Sequence, residues 1–136
     1  MKIFIKNIMS NTYLIFSGLI LGVILYQTVF VAPTVFKTID NVNTSKFLRK
    51  IFPRFFMFIF ILGIVALIDS IFNSRGSLLH IVYSITSLFS LFAFLIIPMT
   101  NKATDDNDRK KFKILHSLSV VLTVIILIIN FIPFFN

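Results

Sequence analysis

The sequence predicts an all-α fold, an integral membrane four-helix bundle, on three observations. The 136-residue chain is 57% hydrophobic with a mean hydropathy of +0.97, beyond what a soluble domain carries. Its apolar residues gather into four runs, 11–32, 55–72, 78–97 and 114–132. Each matches the roughly 17–25 residues that cross a ~30 Å hydrocarbon core at ~1.5 Å per residue. All 13 Lys and Arg stand outside those runs. Four spans leave one membrane domain, residues 1–136, and no sizeable domain beyond the bilayer.

The first run follows Lys2 and Lys6, an arrangement that imitates a secretory signal. It is too long for a signal core, and Phe30 stands where cleavage needs a small residue, so it reads as an uncleaved span. Gly18-Leu19-Ile20-Leu21-Gly22 puts two glycines on one helical face. That spacing admits a close neighbouring backbone, which predicts packing within the bundle rather than homodimerisation. Gln27 faces away from the glycines, and Pro33 closes or kinks the span for want of an amide donor. Residues 34–53 mix apolar side chains with five charges, an amphipathic approach to the second span at the membrane surface. Thr44 or Ser45 is the expected cap of the helix that follows, with Pro53 at its entry. The second run carries Asp69 near its far end, and Asn73-Ser74-Arg75-Gly76 predicts a tight turn. The third run ends at Pro98. Polar residues 99–113 then supply an Asp or Asn to cap the fourth span, which ends at Pro133.

Cysteine is absent, so thiolate metal sites, Fe–S clusters, disulfides and Cys nucleophiles are excluded. No Walker loop, HExxH, Ser–His–Asp pattern or dinucleotide fingerprint occurs, which favours a non-enzymatic role. In a soluble protein a net charge of +8 would suggest nucleic acid; here it is a topology signal and no nucleic acid is expected. Ten cations flank the connections after spans one and three, against Lys2, Lys6 and Arg75 on the opposite side. The positive-inside rule then places those two connections in the cytoplasm and both termini outside, with the basic segments on anionic lipid headgroups.

Polar residues inside a bilayer are costly and turn toward the bundle or a cavity. At ~100° per residue, His116, Ser119, Thr123 and Asn130 fall within an arc of about 60° on span four. Ser77, His80, Ser84 and Ser87 fall within about 80° on span three. The two stripes are expected to face one another, as a hydrogen-bonded seam or as the lining of a ligand path starting at His116. His80 and His116 lie near opposite ends of their spans, too far apart to share a metal, so no metal site is expected; one of them alone could hold a haem. Asp69 is expected to pair with Arg75 or His80 at the outer mouth, and Gln27 to lie near the inner one.

Phe30-Val31-Ala32-Pro33-Thr34-Val35-Phe36, the preceding Gly18 and Gly22, and Phe52-Pro53-Arg54-Phe55-Phe56 resemble a known family, as does Phe112-Lys113-Ile114-Leu115-His116-Ser117-Leu118-Ser119. The chain is similar to the bacterial domain-of-unknown-function 4149 family, related to eukaryotic transmembrane protein 205. Arg54 stands where that family's pattern has a Tyr-containing entry. The resemblance implies a four-helix membrane protein of undefined activity, in a bacterial inner membrane. A more distant likeness reaches the copper-resistance-D and membrane protoporphyrinogen-oxidase families, whose ligand sets this chain lacks. Three roles follow: binding or passing a small apolar or cationic molecule, a haem redox protein, or a subunit joining a homo-oligomer or larger membrane complex through Gly18 and Gly22.

Overall fold

The computed structural model describes residues 11–135; Lys2, Lys6 and Asn136 lie outside the described residues. Four helical spans, Thr12–Thr38, Asn41–Phe72, Ser77–Asp105 and Arg109–Phe135, are long and apolar enough to cross a membrane. Helix α1 (Thr12–Tyr26) passes through a π-helical turn (Gln27–Val31) into α2 (Ala32–Thr38). Then follow α3 (Asn41–Phe72), α4 (Ser77–Asp105), α5 (Arg109–Ile129) and a closing 3-10 turn, Ile132–Phe135. Up-and-down connection puts the start of α1, the Asn73–Gly76 turn and the closing turn at one end, the terminal end. The breaks at Ile39-Asp40 and Asp106–Asp108 form the other, which we call the basic end.

Three prolines that read as span boundaries lie within helical segments instead. Pro33 opens α2, Pro53 is interior to α3, and Pro98 is interior to α4, which continues to Asp105. A helix proline presses on the carbonyl four residues earlier. The wider π turn gives that carbonyl, Val29, room, so the first span bends its hydrogen-bond register rather than ending. Bundle packing and local readjustment tolerate the other two.

The cap of α3 is Asp40, not Thr44 or Ser45. Ile39 and Asp40 are extended (ψ 140° and 159°), and the Asp40 carboxylate accepts from the amides of Val42 (3.1 Å) and Asn43 (3.0 Å) and from the Asn43 side chain (2.7 Å). Those Asn43 hydrogen bonds, backbone first, hold its carboxyl below the ordinary value. Thr44 instead donates to the Ile39 carbonyl. Asp108 caps α5 through the Lys111 amide (2.9 Å). In the Asn73–Gly76 turn, Gly76 sits at φ +91°, a conformation open to glycine without strain.

Helix α4 is held between α3 and α5, and α1 packs on α3. One core cluster gathers Ile20 and Ile24 of α1, Phe55, Phe56 and Ile59 of α3, Ala93 of α4, and Leu122 and Ile126 of α5. A second, toward the terminal end, joins Ala66 to Leu79, Val82 and Tyr83. Of the glycines, Gly63 makes the close helix contact. A Cβ there would lie 2.7 Å from Ser87 Oγ and 3.3 Å from the Ser87 amide nitrogen, so α3 and α4 meet where only glycine fits. The Gly18–Gly22 face, expected to serve this purpose, does not. Among the described residues a Cβ at Gly22 meets nothing within 4 Å, and one at Gly18 meets only Phe134 Cζ at 3.8 Å.

Candidate functional site

At the terminal end, the polar residues of three helices form one network. Thr12 donates to Asp69 Oδ2 (2.8 Å) and accepts from Arg75 Nη2 (2.9 Å), while Arg75 Nε stands 3.6 Å from the same Asp69 oxygen. Asn73 donates to Asp69 Oδ1 (3.0 Å). The Arg75 guanidinium lies 5.1 Å above the Tyr13 ring, a cation–π contact. One layer deeper, the Tyr83 hydroxyl donates to the Tyr13 carbonyl (2.8 Å) and lies 3.0 Å from Ser17 Oγ. His80 is not part of this pairing; its Nε2 is 3.1 Å from the Ser70 carbonyl. The network ties the start of α1 to α3, α4 and their turn, and its geometry is that of a clasp.

Among the described residues the two polar stripes are not hydrogen-bonded to one another; Asn130 of the span-four stripe reaches α4 beside the other stripe, at Thr86. Asn130, fully buried, donates to Thr86 Oγ1 (2.8 Å) and to the Ile126 carbonyl (2.9 Å). Thr86 was outside the span-three stripe. The buried face of α4 runs through Leu79, Val82, Thr86, Ser90 and Ala93, rotated from the stripe so that Ser77 is exposed, His80 and Ser84 half-buried and only Ser87 buried. On α5, Ser119 and Thr123 are half-buried and bond the carbonyls of Leu115 and Ser119. His116 is exposed and stacked on Phe112, with ring centroids 5.5 Å apart. Its expected inward orientation is therefore corrected: no residue in 109–121 is buried, because α5 leaves the bundle surface toward the basic end. Ser87 and Ser90 also return to carbonyls of their own helix. Hydroxyls bonded within a helix in this way are satisfied without a partner on a neighbouring helix.

An open volume lies elsewhere. Between α1 and α3 runs a groove of about 700 Å³, within the range of roughly 300–1,000 Å³ usual for small-molecule sites. Gly18 and Gly22 form part of one wall, Phe47, Ile51 and Phe58 part of the other, and the polar groups among its lining residues are Gln27, Arg54 and the Tyr26 hydroxyl. The groove crosses α1 obliquely, so Gln27 shares it with the glycines although the helical wheel sets them on different faces. Gln27 is only 7% exposed, and among the described residues its Nε2 has no hydrogen-bond partner. Arg54 is exposed and enters none of the ion pairs among the described residues. Among the described residues no group of three or more His, Cys, Asp or Glu could hold a metal ion.

Sequence reasoning missed Arg54 as a site residue because it read as one more boundary cation. It missed Thr12, Ser17 and Tyr83 because single hydroxyls carry no periodic signal. The π turn, a feature frequent at functional sites, had a visible cue in Pro33 following an unbroken apolar run.

A helical protein with four membrane-suited spans and no catalytic constellation among its described residues belongs with the multi-pass membrane proteins. More particularly, the chain belongs to the family described as Domain of unknown function (DUF4149), whose model matches residues 15–109. The match takes in the groove and, of the clasp, Ser17, Asp69, Asn73, Arg75 and Tyr83 but not Thr12 or Tyr13, and ends before the Phe112–Ser119 segment. No curated protein and no solved structure matches the chain.

Proposed function

We propose that this protein binds an elongated apolar molecule, admitted sideways from the bilayer into the groove between α1 and α3. The observation that carries the reading is the uncovered Gly18–Gly22 wall of a cavity about 700 Å³ in volume. Glycines on a lipid-facing surface leave room that Leu or Ile would fill, and among the described residues no helix takes it. The polar stripe of α5 draws less support as a route: His116 is exposed and stacked on Phe112, and Ser119 and Thr123 bond their own helix. A cationic ligand finds Arg54 in its way. His80, at the Ser70 carbonyl, and His116, at the far end of the molecule, offer no pair of axial ligands, so haem draws no support from them.

Ten cations at the basic end support a placement with that end in the cytoplasm, both termini outside and a bacterial inner membrane as the setting. The likeness to transmembrane protein 205 rests on the Ala32-Pro33-x-x-Phe36 and Leu115-His116 motifs and brings no activity with it.

The test is to identify what co-purifies. Mass spectrometry of the protein extracted in mild detergent is expected to find a stoichiometric apolar compound in the wild type. Gly22→Leu, whose Cβ has nothing within 4 Å among the described residues and whose side chain occupies the groove, is expected to lose it while melting at the same temperature. Retention of the compound by Gly22→Leu would overturn the reading.

A further inference from the structure

The groove has a polar end, and its chemistry has one sign. Gln27 presents a buried amide nitrogen without a partner among the described residues, and Arg54 a cation with no carboxylate paired to it. A wholly apolar occupant leaves that amide in its present state, which is costly away from water. An occupant carrying a negatively charged oxygen satisfies the amide and the guanidinium together, through charge-assisted hydrogen bonds.

Depth agrees with charge. Gln27 lies fifteen residues along the first span from Thr12, roughly 22 Å at the helical rise; Arg54 lies eighteen residues before Phe72, roughly 27 Å. In a hydrocarbon core ~30 Å thick, both sit near the headgroup boundary at the basic end. Gly18 and Gly22 lie roughly 9 and 15 Å from Thr12, nearer mid-membrane. The groove therefore runs from a donor-lined mouth at one headgroup level toward the bilayer centre, the shape and polarity of one lipid in that leaflet. Lys50 and Lys46, exposed one and two turns before Arg54 on α3, extend the positive field outward from the mouth.

We propose that the groove is a site for an anionic phospholipid of the leaflet at the basic end, with one acyl chain along Gly18 and Gly22 and its phosphate at Gln27 and Arg54. This rests on the groove being a binding site, and adds the class of molecule bound. The Gly18–Gly22 spacing also suits a second copy of the chain, but a helix seated there brings no anion to Arg54.

The experiment is native mass spectrometry of the full chain in a neutral detergent, with equimolar phosphatidylglycerol and phosphatidylcholine of identical acyl chains. The wild type is expected to retain phosphatidylglycerol about tenfold more than phosphatidylcholine: both bring a phosphate, but only the second sets a quaternary ammonium among the exposed cations Arg54, Lys50 and Lys46. Arg54→Gln is expected to bring the ratio toward unity. Gln27→Leu, which removes a donor to the phosphate that both lipids carry, is expected to weaken retention of both, and Lys110→Gln, an exposed cation away from the groove, to leave the ratio unchanged. Gly22→Leu is expected to lose both lipids. Equal losses of preference in Arg54→Gln and Lys110→Gln overturn the headgroup assignment, as does an even wild-type ratio. Either result leaves the groove reading standing if Gly22→Leu still displaces lipid. Undiminished binding of both lipids by Gly22→Leu overturns the groove reading and this proposal with it. A lipid-free dimer as the main species does the same in favour of a second copy.

Discussion

At the scale of single residues, the glycines and the buried amides decide the energetics. Gly63 and Gly22 have alike neighbours in the sequence, Leu on one side and Ile or Val on the other, yet among the described residues one is pressed against Ser87 and the other faces open space. Gly63→Ala is expected to lower stability by about 1–3 kcal/mol, the usual cost of overpacking. Gly22→Ala should be neutral or slightly stabilising through helix propensity. Thermal unfolding of the two variants in one detergent checks this, and equal losses would show that α1 also meets a close neighbour. Asn130 sets a second contrast. Its Nδ2 serves Thr86 and Ile126, but its Oδ1 has no partner among the described residues. Thr86→Val strands an N–H and should cost about 1–3 kcal/mol. Asn130→Leu removes an interhelical bond worth about 0.6 kcal/mol on average together with the unpartnered oxygen, so it should cost less. The double variant should recover part of the Thr86→Val loss; strict additivity in a double-mutant cycle would mean that the two side chains do not interact. Burial of Asn130 follows from its cost in lipid. Its partner could not be read, because the rotation of α4 depends on where Gly63 lets α3 approach.

At the scale of elements, the four spans were legible because lipid demands a length and a composition, and both are written in the order of residues. Their ends were not. Pro98 reads as a stop and Pro33 as a stop or a kink; continued packing carries α4 past Pro98, and a π turn carries the first span past Pro33. The extensions place Arg49 and Asp105 beside each other, a two-pronged ion pair bracing α3 against α4 at the basic end. The cap of α3 was misplaced by only a few residues. Asp, Thr and Ser are all good caps, and the choice among them is made by the extended backbone at Ile39-Asp40. Asp40 gives this joint a pH dependence. Hydrogen bonds from Asn43 lower its folded carboxyl below the ordinary value, so its contribution is present above the unfolded value and fades as pH falls through the folded one. Asp40→Ala should therefore melt below the wild type at neutral pH, with the gap closing below pH about 4. Asp40→Asn, still an acceptor, should keep most of the cap. A gap independent of pH would show that the carboxylate charge is irrelevant to the joint.

At the scale of the whole molecule, one end is knotted and the other is charged. The terminal end draws Thr12, Asp69, Arg75 and Tyr83 into a clasp whose acid and base neutralise one another near the lipid surface. The basic end carries ten cations and, among the described residues, four carboxylates: Asp40, Asp105, Asp106 and Asp108. Of these, Asp105 and Asp106 pair with Arg49 and Lys102, so most of the cations remain available to headgroups. The positive-inside rule is the ground for the proposed orientation with the basic end in the cytoplasm, since moving unpaired Lys and Arg across the bilayer is what translocation resists. The absence of cysteine makes the consequence measurable without background. Ser77 and Thr104 lie near opposite ends of α4 and are both exposed. They stand about 40 Å apart along the helix, farther than the ~30 Å core is thick. In intact cells, Ser77→Cys should react with a membrane-impermeant maleimide, and Thr104→Cys should react only after the membrane is opened. The reverse pattern would put the groove's mouth, with Gln27 and Arg54, on the outer leaflet. Its ligand would then have to be sought among the lipids and solutes met there.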